Sequence, residues 1–171
     1  KMLHAYWTNR GAEAIRQARV ALDAFSSEYE FARGNTLTHQ GLALQQIGQT
    51  DAALQVMTEA LRGDGFASQQ LNRRLLVGYT AIHLFRGDLG SAAESAESLI
   101  QVAQQDASIT HVWAHYVFGL VQLEWCNLVA AAQHFSAAAE LRYRGNAKAS
   151  HESLGLLAVT QQLQGLDVAA D

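Results

Sequence analysis

Gly48-Gln49-Thr50-Asp51-Ala52-Ala53 decides the fold, because it comes back. Looser copies stand at Gly87-Asp88-Leu89-Gly90-Ser91-Ala92, at Cys126-Asn127-Leu128-Val129-Ala130-Ala131 and at Gly165-Leu166-Asp167-Val168-Ala169-Ala170. The first residues fall at 48, 87, 126 and 165, so every step is 39, and one step back from 48 lands on Asn9-Arg10-Gly11-Ala12-Glu13-Ala14. Marks on one period without insertion or deletion are the sequence form of a repeat architecture. The fifth residue after each mark is Ala14, Ala53, Ala92, Ala131 and Ala170. Seven residues before a mark stand Gly41, Thr80, Gly119 and Ala158, all small. Six before, Leu3, Leu42, Ala81, Leu120 and Val159 are apolar; twelve after, Ala21, Ala60, Leu99 and Ala138 are small or apolar. Small residues at matched points of successive helices let their backbones approach, and apolar ones between them fill the seam.

Each unit reads as two helices. Before a mark the apolar spacing is helical, as in Leu37, Gly41, Leu44 and Gly48 or Leu75, Tyr79, Ile82 and Phe85. The mark itself carries Gly, Asp, Asn or Thr, residues that stop one helix and cap the next. After it the chain is Ala-rich and amphipathic, as in Ala52, Val56 and Ala60 or Ala131, Phe135 and Ala138. Polar connectors separate the units: Ser26-Ser27-Glu28-Tyr29-Glu30 with a capping box of Ser27 and Glu30, then Arg62-Gly63-Asp64-Gly65, Asp106-Ala107-Ser108 and Arg144-Gly145-Asn146. The prediction is all-α: one right-handed superhelical solenoid of antiparallel helix pairs over residues 1–171, with a 39-residue period and about nine helices. Residues 1–8 read as the end of a first helix and 168–171 as the opening of another, with no initiator Met. Natural solenoids end in polar caps, so the chain reads as part of a larger protein.

Composition agrees. Of 171 residues, 49% are hydrophobic and 16% charged, which excludes a disordered tail. There is no Pro, where average usage of roughly 5% would give about 8; its absence suits a chain that is nearly all helix. Twelve Lys and Arg against 16 Asp and Glu leave a net charge of −4, unlike the basic face of an autonomous nucleic-acid binder. The single Cys excludes an intrachain disulfide framework and a CxxC zinc site, and fits a reducing, cytoplasmic setting. No apolar run is long enough to span a membrane, and Lys1-Met2-Leu3-His4 does not open a signal peptide.

Gly41 with Ala53 and Gly119 with Ala131, followed by Ala60 and Ala138, resemble the tetratricopeptide signature of a small residue in helix A, a turn Gly and two Ala in helix B. Departures are plain. The tetratricopeptide period is about 34 residues, the aromatic of early helix A is replaced by Leu37, Leu76, His115 and Leu154, and the closing Pro is missing. The phrases Gly41-Leu42-Ala43-Leu44, Gly48-Gln49-Thr50-Asp51-Ala52-Ala53-Leu54 and Leu84-Phe85-Arg86-Gly87-Asp88-Leu89 resemble the helical-repeat sensor region of MalT-like, LuxR-type transcription activators. That resemblance rests on texture along the whole chain. It implies an effector- or partner-binding region of a bacterial transcription regulator. The ATPase and DNA-binding modules would lie elsewhere, since the chain has neither a P-loop nor a basic recognition helix. The alternative is a tetratricopeptide-type interaction adaptor unrelated to transcription. No site residue carries over from either family.

Chemistry-bearing constellations are few. His111 and His115 share a helix face and could hold a metal, but no third ligand is evident, and His115 fills the column of Leu37, Leu76 and Leu154, so the core is the plainer reading. Cys126 stands where sister repeats have Gly and reads as a tolerated small residue. Glu94 and Glu97 read as a solvated helix face. The expectation is therefore no enzyme, no cofactor and no metal. What remains is the concave face that helix A lines in such solenoids. It is read as Asn35, Thr38 and Gln45, then Arg74, Val77 and Phe85, then Trp113, Tyr116 and Glu124, then Glu152 and Gln162. Trp113 and Tyr116, one turn apart, either form an aromatic platform flanked by Arg74 and Phe85 or pack between repeats. Such a face suits a protein or peptide, or a small uncharged effector such as an oligosaccharide, with no direct nucleic-acid or membrane contact.

Overall fold

The computed structural model describes residues 1–26, 28–62, 69–103, 109–141 and 147–165. Among them there are helices and turns and no strand. In chain order the helices are α1 (Met2–Trp7), α2 (Gly11–Ala24), α3 (Glu30–Gln46), α4 (Thr50–Arg62), α5 (Gln69–Arg86), α6 (Leu89–Ala103), α7 (Ile109–Glu124), α8 (Leu128–Glu140) and α9 (Ala147–Leu163). The Ser27 half of the capping box, the Gly63–Gly65 break, the connectors at 106–108 and 144–146 and the opening of a helix at 168–171 lie outside the described residues.

The helix stops share one mechanism. Among the described residues, positive φ occurs at Asn9 (56°), Gly48 (78°), Gly87 (79°), Cys126 (57°) and Gly165 (71°). A left-handed residue lets the chain turn back and cap the carbonyls its helix leaves unpaired. The N–H of Gly48 donates to the Gln45 carbonyl and that of Gln49 to the Leu44 carbonyl. The same pair of bonds is made by Asn9 and Arg10 to Tyr6 and Ala5, by Gly87 and Asp88 to Leu84 and His83, and by Cys126 and Asn127 to Leu123 and Gln122, all at 2.8–3.0 Å. The next helix starts at once. The N–H groups of Ala14, Ala53 and Ala131 donate to the carbonyls of Arg10, Gln49 and Asn127, which are its first helical bonds.

The chain separates into two compact units, Lys1–Asp88 and Leu89–Asp171, where the sequence reading has a single domain. Helical repeats make mostly local contacts, which favours such a division. In the first unit α3 is central, packing on α1, α2, α4 and α5. Its core holds Ala14, Ile15, Ala43, Leu44, Ala53, Met57, Leu75 and Ile82. In the second, α7 packs on α6, α8 and α9. Ala14, Ala53, Ala92 and Ala131 are all 0% exposed.

In the α3/α4 and α7/α8 hairpins a large side chain fills the space a glycine leaves. A Cβ on Gly41 of α3 would stand 2.5 Å from the Met57 methyl of α4, and one on Gly119 of α7 would stand 2.6 Å from a ring carbon of Phe135 of α8. Met57 and Phe135 are fully buried. In the first unit α3 and α5 also run close and in the same direction, since Thr38 meets Gly78 while Gly41 meets Ile82.

Two predictions follow from this packing. Gly119→Ala should destabilise by about 1–3 kcal/mol, because the buried Phe135 ring has to shift. Gly155→Ala, on α9 with nothing within 4 Å of the new methyl, should stabilise by about 0.5–1 kcal/mol through helix propensity. Urea melts of the two variants should move in opposite directions. The turn geometry gives a second pair. Cys126→Gly should stabilise by about 1 kcal/mol by removing a left-handed side chain, and Gly48→Ala should destabilise by a similar amount. Thermal melts that leave both variants at the wild-type midpoint would contradict the turn argument.

Candidate functional site

Asn35, Thr38, Gln45, Arg74 and Phe85 belong to the first unit; Trp113, Tyr116 and Glu124 belong to the second. Each group is considered in its own unit.

In the first unit α3 and α5 bring Asn35, Thr38 and Arg74 to one place. Thr38 is a correction to the sequence reading: it is buried, and its hydroxyl donates to the Arg74 carbonyl at 3.2 Å. Val77, also expected to be exposed, is buried as well. The physical reason is that α3 and α5 pack side by side as well as on α4, so each covers two faces where the reading allowed one. Arg74 is half-buried, with its guanidinium carbon 5.5 Å from the centre of the Phe31 ring on α3, a cation–π arrangement. Burial lowers its pKa, and its Nε is buried with no hydrogen-bond partner in the protein. His39 donates Nδ1–H to the Asn35 carbonyl at 2.7 Å. Its pKa is lowered by burial first and then by the Arg74 charge, against the raising effect of that hydrogen bond. Phe31, Asn35, His39 and Arg74 therefore make one partly open patch. Gln45 is half-buried, with its Oε1 buried and unpartnered. Phe85, in the last turn of α5, is 63% exposed; eleven residues of helix, about 16 Å, separate it from Arg74.

In the second unit the expected aromatic pair exists. Trp113 and Tyr116 meet edge to face with ring centres 5.5 Å apart. Both are half-buried against a core cluster of Val112, Ala138 and Ala149, so much of each ring is committed to packing. The Tyr116 hydroxyl donates to Glu152 Oε2 on α9 at 2.7 Å, and Lys148 Nζ lies 3.5 Å from the other carboxylate oxygen. Burial, then the hydrogen bond to Glu152 and its charge, push the Tyr116 pKa well above its ordinary 10. Glu124, at the end of α7, is exposed.

The sequence reading missed His134. On α8, its Nδ1 stands 3.0 Å from Nδ1 of His115, while Nε2 of His115 stands 3.2 Å from Nε2 of His111. The result is a chain of imidazoles in the order 111, 115, 134, with the Phe118 ring 4.6 Å from that of His134. Burial first, then the two neighbouring imidazoles, hold His115 down from 6.5 to about 4; His111 and His134 are lowered by burial. The signal lay in the hairpin register. The hairpin about the 126 turn that sets Phe135 against Gly119 also sets the neighbouring His134 against His115 and Phe118.

No protein-family model and no curated protein matches the chain.

The imidazole chain sets a pH dependence. His115 protonates near 4 when folded and near 6.5 when unfolded, so between those values the unfolded state binds more protons. Stability is then full above 6.5 and falls as pH drops through that window. With a chelator present, the melting temperature should decrease from pH 7 to pH 4.5, and His115→Leu should flatten that decrease. Circular dichroism melts across the range test this. Equal slopes for the two proteins would show that His115 carries none of it.

Proposed function

We propose that the chain is an effector- or partner-binding segment of a right-handed helical-repeat solenoid with a 39-residue period. The period is supported by the left-handed residues at 9, 48, 87, 126 and 165. It is also supported by contacts that recur two periods apart. Gly41 with Met57 corresponds to Gly119 with Phe135 (119 − 41 = 135 − 57 = 78). Thr38 with Arg74 corresponds to Tyr116 with Glu152 (116 − 38 = 152 − 74 = 78).

The binding role rests chiefly on Arg74. A half-buried guanidinium, held over Phe31 with a buried Nε lacking an acceptor, is costly for a protein to keep unless something completes it. An extended peptide would supply carbonyl or carboxylate acceptors to Arg74 and pack on Phe31. Aromatic and Arg side chains are the usual anchors of such interfaces. Assignment to a MalT-like transcription regulator, acting in the cytoplasm, rests on the sequence resemblance, whereas the reading of the chain as a binding module and not an enzyme rests on how few chemistry-bearing constellations the sequence carries. Among the described residues no helix is long and apolar enough to cross a membrane.

A displayed random peptide library and a panel of neutral oligosaccharides, both tested on the purified chain, examine the binding role. Peptides that bind should lose at least ten-fold in affinity with Arg74→Ala, about 1.4 kcal/mol, with helicity unchanged. Peptides that bind the variant as tightly would remove Arg74 from the interface. Ligands found only among the oligosaccharides would make the chain a small-effector sensor. The coding sequence on either side bears on the regulator assignment: a P-loop before and a helix-turn-helix after support it, and without them the interaction adaptor is the reading that stands.

A further inference from the structure

We propose that His111 and His115 form a two-nitrogen clamp for a divalent transition-metal ion of the imidazole-preferring kind, such as zinc, copper(II) or nickel(II), with His134 fixing His115 from behind. The residues lie four apart on α7, with their Nε2 atoms facing each other across 3.2 Å. Two nitrogens at about 2.0–2.1 Å from one ion are about 2.9–3.4 Å apart for angles between square and tetrahedral. The clamp is thus already set to the bite an ion requires.

Behind the clamp, Nδ1 of His115 lies 3.0 Å from Nδ1 of His134. A bond between two neutral imidazoles needs one proton on one side. When His115 donates Nδ1–H to the lone pair of His134, its Nε2 is left free to bind. That is the outer partner a ligating histidine needs, since it fixes both tautomer and ring orientation. His134 is itself seated against Phe118. In the metal-free protein the Nε2–H of His111 donates to Nε2 of His115. An entering ion takes the place of that proton, which returns to His111 at Nδ1 through solvent, so the pair stays neutral and no net proton is released. The burial that keeps all three rings neutral near pH 7 leaves no ligand to deprotonate first.

The columns add an independent argument. Two periods earlier, the positions of His115 and His134 are Leu37 and Val56, partly buried against the first unit's core. The second unit has imidazoles where the first has hydrocarbon, at a cost in desolvation that packing does not require. Among the described residues no group of three His, Cys, Asp or Glu side chains could hold an ion. Among the described residues, then, the ion's remaining positions fall to water or to an incoming ligand, as in open rather than structural metal sites.

The probe is zinc chloride, titrated calorimetrically into the whole chain at pH 7.5, with circular dichroism as the control for folding. Wild type should bind one ion. His111→Ala, at a half-exposed position that the core does not need, should weaken binding at least ten-fold. His134→Leu should weaken it by a smaller factor and leave the stoichiometry unchanged. His151→Ala and Cys126→Ser, both altering exposed side chains, should bind as wild type. In nitrogen-15 spectra of the imidazoles, zinc should shift Nε2 of His111 and His115 and leave His134 uncoordinated. The proposal is overturned if wild type takes up no zinc, if His111→Ala binds it equally well, or if His151→Ala or Cys126→Ser loses as much as His111→Ala.

Discussion

Each unit depends on a hairpin in which one helix lacks a side chain where its neighbour has a large one. Met57 occupies the notch at Gly41, and Phe135 the notch at Gly119. The notch lets the helices approach closely, and close approach is what buries the Ala residues at 53 and 131 to 0% exposure. Approach also requires a short connection, hence the left-handed residue one or two positions after the helix end. Glycine supplies that conformation freely at 48, 87 and 165, whereas Asn9 and Cys126 bear a side chain there. Asn tolerates the left-handed region through its own short polar group, and the unbranched, exposed Cys126 meets it at moderate strain.

The same geometry explains how a chain of modest hydropathy builds a core. Several helix positions facing neighbours are polar, among them Thr36, Thr80, Ser153 and Thr160, all buried. Each hydroxyl donates to the carbonyl four residues earlier at 2.7 Å: Thr36 to Ala32, Thr80 to Leu76, Ser153 to Ala149 and Thr160 to Leu156. A hydroxyl satisfied within its own helix carries little penalty on burial. Small residues of either kind then serve where helix axes converge, and size rather than polarity is what the packing selects.

Size is also what made the fold legible. Gly41, Gly119 and the Ala column are readable because a tight contact restricts volume at a fixed spacing, and the turns are readable because positive φ favours a short list of residues. The binding face was less legible for two reasons. A helix flanked on both sides buries two stripes, so a position displaced from the main seam, such as Thr38, is covered by the parallel neighbour α5. Single-sequence periodicity registers the dominant stripe only. The histidine chain combines one helix's (i, i+4) spacing with a third residue 19 positions on. Its assembly depends on which side of α8 turns toward α7, and only the hairpin register fixes that.

The two units bury ionisable groups in different ways. In the first, the Arg74 cation is kept half out of water against an aromatic ring, with one donor unmatched. Arginine does not give up its proton in this setting, so an unmatched donor creates a lasting demand for an acceptor. In the second, three imidazoles meet the same problem by staying neutral and bonding to one another. A neutral imidazole has one N–H and one lone pair, so the two internal hydrogen bonds of a row of three leave one of each unused. The first arrangement therefore leaves a fixed donor unmatched, and the second leaves one donor and one lone pair on neutral rings. The first group is assembled by α3 and α5 and the second by α7 and α8, so in each unit the packing of neighbouring helices decides which polar side chains meet, and the residue type decides whether burial leaves a fixed cation or a neutral ring.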